Sequence, residues 1–126
     1  MRDSVTDLRA LLKDPSLLVS NAYVAGQWID ADDGTTFPVI NPARGDVIAN
    51  VANLGRAETA RAIAAADVAR REWAARTGKE RAAIMRKWYD LCMANQDDLG
   101  AILTAEMGKP LAEAKGEIAY GASFIE

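Results

Sequence analysis

The sequence predicts an α/β chain: an antiparallel β meander over residues 21–54, then about four helices over residues 55–126. Two observations carry this. Up to Asn53, aromatic and β-branched residues stand in short runs divided by Gly, Asp and Asn-Pro turn signals, the pattern of strands. From Gly55 onward alanines and capping residues replace them, and apolar residues recur at helical spacing. Residues 1–20 stand apart as an N-terminal extension with a short helix.

In the extension, Ser4-Val5-Thr6-Asp7 resembles a capping box with Asp in its last position. The helix it starts must end before Pro15, because the residue ahead of a proline avoids the helical region. Val5, Leu8, Leu11 and Leu12 share one side, a stripe that suits either a membrane surface or a protein surface. Asp3 and Asp7, which anionic lipid would repel, favour a short surface helix or mobile extension.

Tyr23-Val24-Ala25-Gly26-Gln27-Trp28-Ile29 reads as two short strands joined by a tight turn. Asp32-Asp33-Gly34 is a second turn. Thr35 to Ile40 is strand-like, with Pro38 placing it at an edge or bulge. Asn41-Pro42-Ala43-Arg44-Gly45 turns the chain again, and Asp46 to Ala52 forms the last strand.

Residues 56–75 are rich in alanine, the best helix former. Thr77-Gly78-Lys79-Glu80 is a capping box for the next helix, on which Ile84, Trp88, Leu91 and Cys92 follow at the spacing of one buried face. Asn95 can cap a third helix, whose positive N-terminal end suits Asp97 and Asp98. Gly108-Lys109-Pro110 stops that helix. A fourth starts near Leu111, with Ala114, Ile118, Ala122 and Ile125 on one stripe. That stripe still runs at Glu126 with no stop signal, so the chain reads as a fragment cut inside a helix.

Composition removes several classes of function. The chain carries no His and a single Cys, so it has no Ser-His or Cys-His pair and no internal disulfide framework, and a reducing compartment fits best. A net charge of −3 argues against a nucleic-acid binder. Arg70-Arg71, Lys79, Arg81 and Arg86-Lys87 are interleaved with Glu72, Glu80 and Asp90, the pattern of solvated helix faces. No apolar run approaches the length of a membrane span and no signal-peptide core is present, so the location read from sequence is cytoplasmic. The glycines form neither a G-x-G-x-x-G nor a P-loop pattern, and no carboxylates can be paired as acid and base. Cys92 lies on an apolar helical stripe, where a thiol behaves as a small inert hydrophobe.

Val24-Ala25-Gly26-Gln27-Trp28, Phe37-Pro38-Val39-Ile40-Asn41-Pro42-Ala43-Arg44-Gly45, Glu80-Arg81 and Glu106-Met107-Gly108-Lys109-Pro110 stand in one order over residues 20–126. In that order and spacing the chain resembles the N-terminal part of the NAD(P)-dependent aldehyde dehydrogenase superfamily. Gly108 to Ile118, Ala122 to Glu126 and Gln96-Asp97-Asp98-Leu99 look most like its succinate-semialdehyde dehydrogenase branch. The resemblance implies a Rossmann-like, dinucleotide-binding parent domain, of which residues 21–126 are the N-terminal part. It implies oxidation of succinate semialdehyde to succinate with NAD+ or NADP+, or of a neighbouring semialdehyde such as glutarate semialdehyde. A homodimer or homotetramer is the family's usual assembly, and a small aldehyde its partner.

In such enzymes a Cys thiolate forms a thiohemiacetal that loses hydride, and a Glu activates water to release the acid. The resemblance places those groups, with the phosphate-binding glycines, beyond the segment matched here, so this chain alone is expected to be inactive. It assigns two sites within the chain. Glu106, with the carbonyls of Val39 and Ile40, matches a monovalent cation site of hard oxygen donors. A Glu at a helix end making a local salt bridge explains the same residue. Tyr120 matches a position lining the aldehyde entrance tunnel and has Phe124 one turn on; an aromatic packing pair explains both equally well.

A reading of another class is a non-catalytic helical interaction module, binding a partner through Leu111, Ile118 and Ile125. It gives no reason for the dehydrogenase order of motifs. On the fragment reading, helix faces that would pack on a parallel sheet are left exposed, and the isolated chain aggregates or behaves as a molten globule.

Overall fold

The computed structural model describes residues 7–126. Strands β1 (Ala22–Val24) and β2 (Gln27–Ile29) form one antiparallel hairpin, and β3 (Thr36–Ile40) and β4 (Val47–Ala52) a second. The two are separate two-stranded sheets rather than one continuous meander. Helices α1 (Leu8–Leu11), α2 (Arg56–Ala75), α3 (Gly78–Ala94), α4 (Gln96–Met107) and α5 (Leu111–Ser123) complete the chain.

Local chemistry explains the hairpins. Ala25 and Gly26 both take positive φ, 51° and 81°, the geometry of a two-residue turn whose twist matches its strands. In the second hairpin Asn53 N–H donates to Thr35 O at 3.0 Å. That register puts Phe37 and Val39 at hydrogen-bonded positions and turns Pro38, which has no N–H to give, to the free edge. The register shifts between Val39 and Ile40. Asn41 Oδ1 then accepts from Ala43 N–H and Asn41 O from Gly45 N–H, closing the turn into β4.

The caps follow the sequence with one exception. Thr77 Oγ1 accepts from Glu80 N–H, and Glu80 Oε2 accepts from Thr77 N–H at 2.8 Å. Gly108 ends α4 in the left-handed conformation, φ 79°. Asn95 stands at the N-cap of α4 but makes no capping bond there; its side-chain amide donates back to Leu91 O of α3. The helices thus follow each other so closely that the amide closes the first rather than opening the second.

The N-terminal extension is the largest departure from expectation. Ser4 to Thr6, the start of the expected capping box, lie outside the described residues; within them Asp7 is the N-cap, accepting from Arg9 N–H. Within the described residues α1 lies at the surface, Arg9 to Leu11 exposed, but Leu8 and Leu12 anchor it. Leu8, Leu12 and Leu18 are the buried cluster on which Ile48 of β4 and Ala101, Ile102 and Ala105 of α4 pack. Asp98 in the first turn of α4 fastens it, its carboxylate accepting from Lys13 N–H at 3.1 Å and Asp14 N–H at 2.8 Å.

Helices α4 and α5 pack closely at Gly100, where an added Cβ would lie 2.9 Å from Lys115 Cγ. Gln96 Nε2 donates to Lys115 O across the same contact. Ala114 and Ala122 of the α5 stripe are buried and Ile118 and Ile125 half-buried in internal packing, while Leu111 at its start is exposed. The helix itself stops at Ser123, with Phe124 as its C-cap. The expected buried face of α3 is corrected. Ile84, Trp88 and Leu91 face solvent and Cys92 is half-buried, while Met85, Tyr89 and Met93 are the half-buried positions on the other side.

Candidate functional site

The turn after β3 and the end of α4 meet at one contact. The left-handed φ of Gly108 sets its α-carbon against Pro42, where an added Cβ would lie 3.1 Å from Pro42 Cγ. This contact brings two motifs of the sequence, Asn41-Pro42 and Gly108-Lys109-Pro110, side by side although they are far apart in the chain. It also joins the elements bearing Val39 and Ile40, at the end of β3, and Glu106, in the last turn of α4, the residues that the resemblance assigns to a cation.

Glu106 is exposed and makes no hydrogen bond or ion pair among the described residues. The nearby Lys109 is paired with Glu117 of α5. Among the described residues no three His, Cys, Asp or Glu cluster for a metal. A site made of one carboxylate and backbone carbonyls suits a hard monovalent ion better than a transition metal.

Beside this contact lies a cavity of about 320 Å³. Its walls come from Leu8 and Leu11 of α1, Ala43 of the turn, and Thr104 and Leu111 at the α4–α5 junction. Thr104 Oγ1 is buried and has no hydrogen-bond partner among the described residues. A Thr within a helix carries no sequence signal for this, and the residue was not foreseen. Arg44 at the cavity wall is held in a two-point pair by Asp46, 2.9 and 3.0 Å. The guanidinium holds the Asp46 carboxyl below the usual carboxylate range.

The aromatic pair on α5 is a separate feature. The rings of Tyr120 and Phe124 meet edge to face with centroids 4.9 Å apart, and the residues are 63% and 73% exposed. They pack on each other and leave an open aromatic ledge. Cys92 sits on α3, in an element separate from both features.

Electrostatic order concentrates where the extension meets α4. Asp97 accepts from Lys13 Nζ at 3.0 Å and pairs with Lys115 Nζ at 2.8 Å. These bonds, Lys115's first, pull its carboxyl down to about 2. On α2, Glu58 is buried and accepts from Asp32 N–H and Gly55 N–H, both 3.1 Å; the Asp32 bond is the main cause of its lowered pKa. It ties the start of α2 to the loop after β2, as does the Arg61–Asp32 pair at 2.5 Å.

Residues 28–126 match the model of the aldehyde dehydrogenase family, and the chain belongs to that family. It is 58% identical over 115 residues to a glutarate-semialdehyde dehydrogenase of Pseudomonas putida, a match covering 91% of this chain and 24% of that protein. The NADP+-dependent succinate-semialdehyde dehydrogenase of Escherichia coli is 51% identical, with the same coverage. The crystal structure of an aldehyde dehydrogenase from Brucella melitensis biovar abortus superposes with a TM-score of 0.90 at 59% identity, again over 91% of this chain and 24% of that one. The chain therefore spans about a quarter of the length of the relatives it matches. Among the described residues no helix is long and apolar enough to cross a membrane.

Proposed function

We propose that this chain supplies the N-terminal part of an NAD(P)-dependent dehydrogenase that oxidises short semialdehydes to carboxylic acids. Residues 21–126 belong on this reading to the dinucleotide-binding domain, and residues 1–20 are its N-terminal extension. The observation that carries the reading is 58% identity to a glutarate-semialdehyde dehydrogenase across 91% of the chain. Glutarate and succinate semialdehyde, each an aldehyde with a distal carboxylate, are the substrates that follow from the two relatives. A bound nicotinamide would supply the hydride acceptor for the oxidation.

This chain's own residues have supporting roles. Glu106, with the Val39 and Ile40 carbonyls, holds a monovalent cation that stiffens the junction between β3 and α4. Their place on two elements in contact at Gly108 and Pro42 supports this. Tyr120 and Phe124 offer an apolar wall to the incoming aldehyde, supported by their exposure as a preformed pair. Cys92, half-buried on α3 and apart from both features, is read as a packing residue. Homodimeric or homotetrameric assembly and a cytoplasmic location complete the proposal.

The test is turnover by the native gene product with succinate and glutarate semialdehyde, each with NAD+ and with NADP+, followed by absorbance of the reduced nicotinamide. Formation of reduced cofactor with either acid semialdehyde, faster than with an uncharged aldehyde of equal length, is expected. No turnover with any pair overturns the reading.

A further inference from the structure

We infer that the cavity between α1, the turn after β3 and α4 binds a small uncharged molecule with an apolar body and one carbonyl oxygen, to which Thr104 Oγ1 donates a hydrogen bond. The inference does not depend on the semialdehyde activity proposed above.

The cavity, about 320 Å³, continues the core. Leu8, Ile48, Ala101 and Ala105 line it, and the same residues belong to or pack on the buried leucine cluster. Ala101 and Ala105 stand one turn apart on α4, and their small side chains leave the room that larger ones would fill. Leu11 and Leu111 also line the cavity although they are 61% and 46% exposed. Large apolar side chains left open at a cavity of this size mark a place for an apolar ligand.

Thr104 supplies the polar contact. A threonine inside a helix commonly returns its hydroxyl to the carbonyl one turn back, and Thr59 of α2 does so, donating to Gly55 O at 2.9 Å. Thr104 makes no such bond: its hydroxyl is buried and has no partner among the described residues. A buried hydroxyl left unpaired costs free energy that an acceptor recovers. Because Thr104 lines the cavity, a ligand seated there can bring that acceptor.

The remaining polar side chains of the wall decide the charge. Asn41 already uses Oδ1 to accept from Ala43 N–H, so what its side chain has left to offer is the Nδ2 donor. Arg44 is the one charged group of the wall among the described residues, and Asp46 already neutralises it through two bonds. The groups on offer are therefore donors, with no unpaired charge to meet an ion. A carbonyl on a hydrocarbon frame suits this wall, whereas a carboxylate would enter an apolar space with no free cation. A semialdehyde that carries a carboxylate is thus not the ligand of this cavity.

The experiment titrates the native gene product with cyclopentanone, followed by ligand-observed NMR, and repeats it with cyclopentanecarboxylate. A Kd of about 1 mM is expected for the ketone, at least about tenfold tighter than for the carboxylate and unchanged by added succinate semialdehyde. Thr104→Val is expected to weaken ketone binding by about three- to tenfold while the protein melts no lower, since only an unpaired hydroxyl is lost. Thr104→Ser retains binding, and Ala105→Leu, which fills the wall, abolishes it. Absence of cyclopentanone binding to the folded protein overturns the inference. So does equal affinity for the carboxylate, an affinity indifferent to Thr104→Val, or displacement of the ketone by succinate semialdehyde. No readout here uses turnover: ketone binding without turnover defeats the activity alone, and turnover without ketone binding defeats the cavity alone.

Discussion

Asp98 Oδ2 accepts the backbone N–H of Asp14 at 2.8 Å, and through this bond the first turn of α4 grips a segment 84 residues away in sequence. Its other oxygen takes the N–H of Lys13, so one carboxylate satisfies two adjacent donors of a stretch with no strand to pair with. Asp98 itself is buried, 6% exposed. Bonds to a charged acceptor are worth more than neutral ones, and cutting them strands two amides.

Asp98→Ala is therefore expected to cost about 2–3 kcal/mol of stability and to expose the extension. Amide hydrogen exchange at Lys13 and Asp14 is the measurement. Exchange faster by more than tenfold there, with α5 unaffected, is the expected result; equal protection in both proteins contradicts the clamp.

The clamp also marks where sequence reading reached its limit. Ala25-Gly26, Thr77 with Glu80, and Gly108 were legible because each is decided by chemistry within a few residues. Asp98 was readable only as a charge suited to a helix start; nothing local announces that it binds Lys13 and Asp14. Leu8, Leu12 and Leu18 looked peripheral for the same reason, since their partners Ala101, Ile102 and Ala105 lie on α4, far along the chain. On α3, periodicity picked Ile84, Trp88, Leu91 and Cys92 as the buried face, but the first three are exposed: a period cannot say which side meets the neighbouring helices. At the candidate site the resemblance named Glu106, Val39 and Ile40. The contact of Gly108 with Pro42 and the unpaired hydroxyl of Thr104 are tertiary facts.

Gly108 and Gly116 should respond oppositely to the same substitution. Gly108 has φ 79°, and an added Cβ would sit 3.1 Å from Pro42 Cγ, so Gly108→Ala pays for both strain and crowding, about 1–2 kcal/mol. Gly116 lies inside α5 with nothing within 4 Å of an added Cβ. Gly116→Ala is expected to stabilise by about 0.5–1 kcal/mol. Urea unfolding midpoints of the two variants should move in opposite directions; a stabilised Gly108→Ala would show that the turn does not press on α4.

Glu106→Gln keeps the shape of the side chain and removes the charge that the proposed cation needs. Loss of a neighbouring supporting group typically lowers metal affinity by 10–100-fold, so loss of the sole charged donor is expected to lower potassium affinity by at least about tenfold. Titration calorimetry with potassium chloride in the active enzyme reads this directly. Unchanged potassium binding would remove Glu106 from the site.

Acid should loosen the extension in a defined window, and Asp97 sets it. Its carboxyl is held at about 2, against an ordinary 3.8, by bonds from Lys115 and Lys13. A lowered folded-state value means that the fold favours the ionised form. The contribution is complete above the ordinary value and is lost as pH falls from 3.8 towards about 2. Glu58, lowered chiefly by the Asp32 N–H, and Asp46, lowered by Arg44, act in the same direction on other parts of the fold. Asp97→Asn removes the titrating group, so its unfolding midpoint should fall less steeply on acidification than that of the parent. Because Lys13 and Asp97 are both largely exposed, added salt should shrink the difference between the two proteins. Parallel pH profiles for parent and Asp97→Asn would show that the pairs with Lys13 and Lys115 do not hold the extension in place.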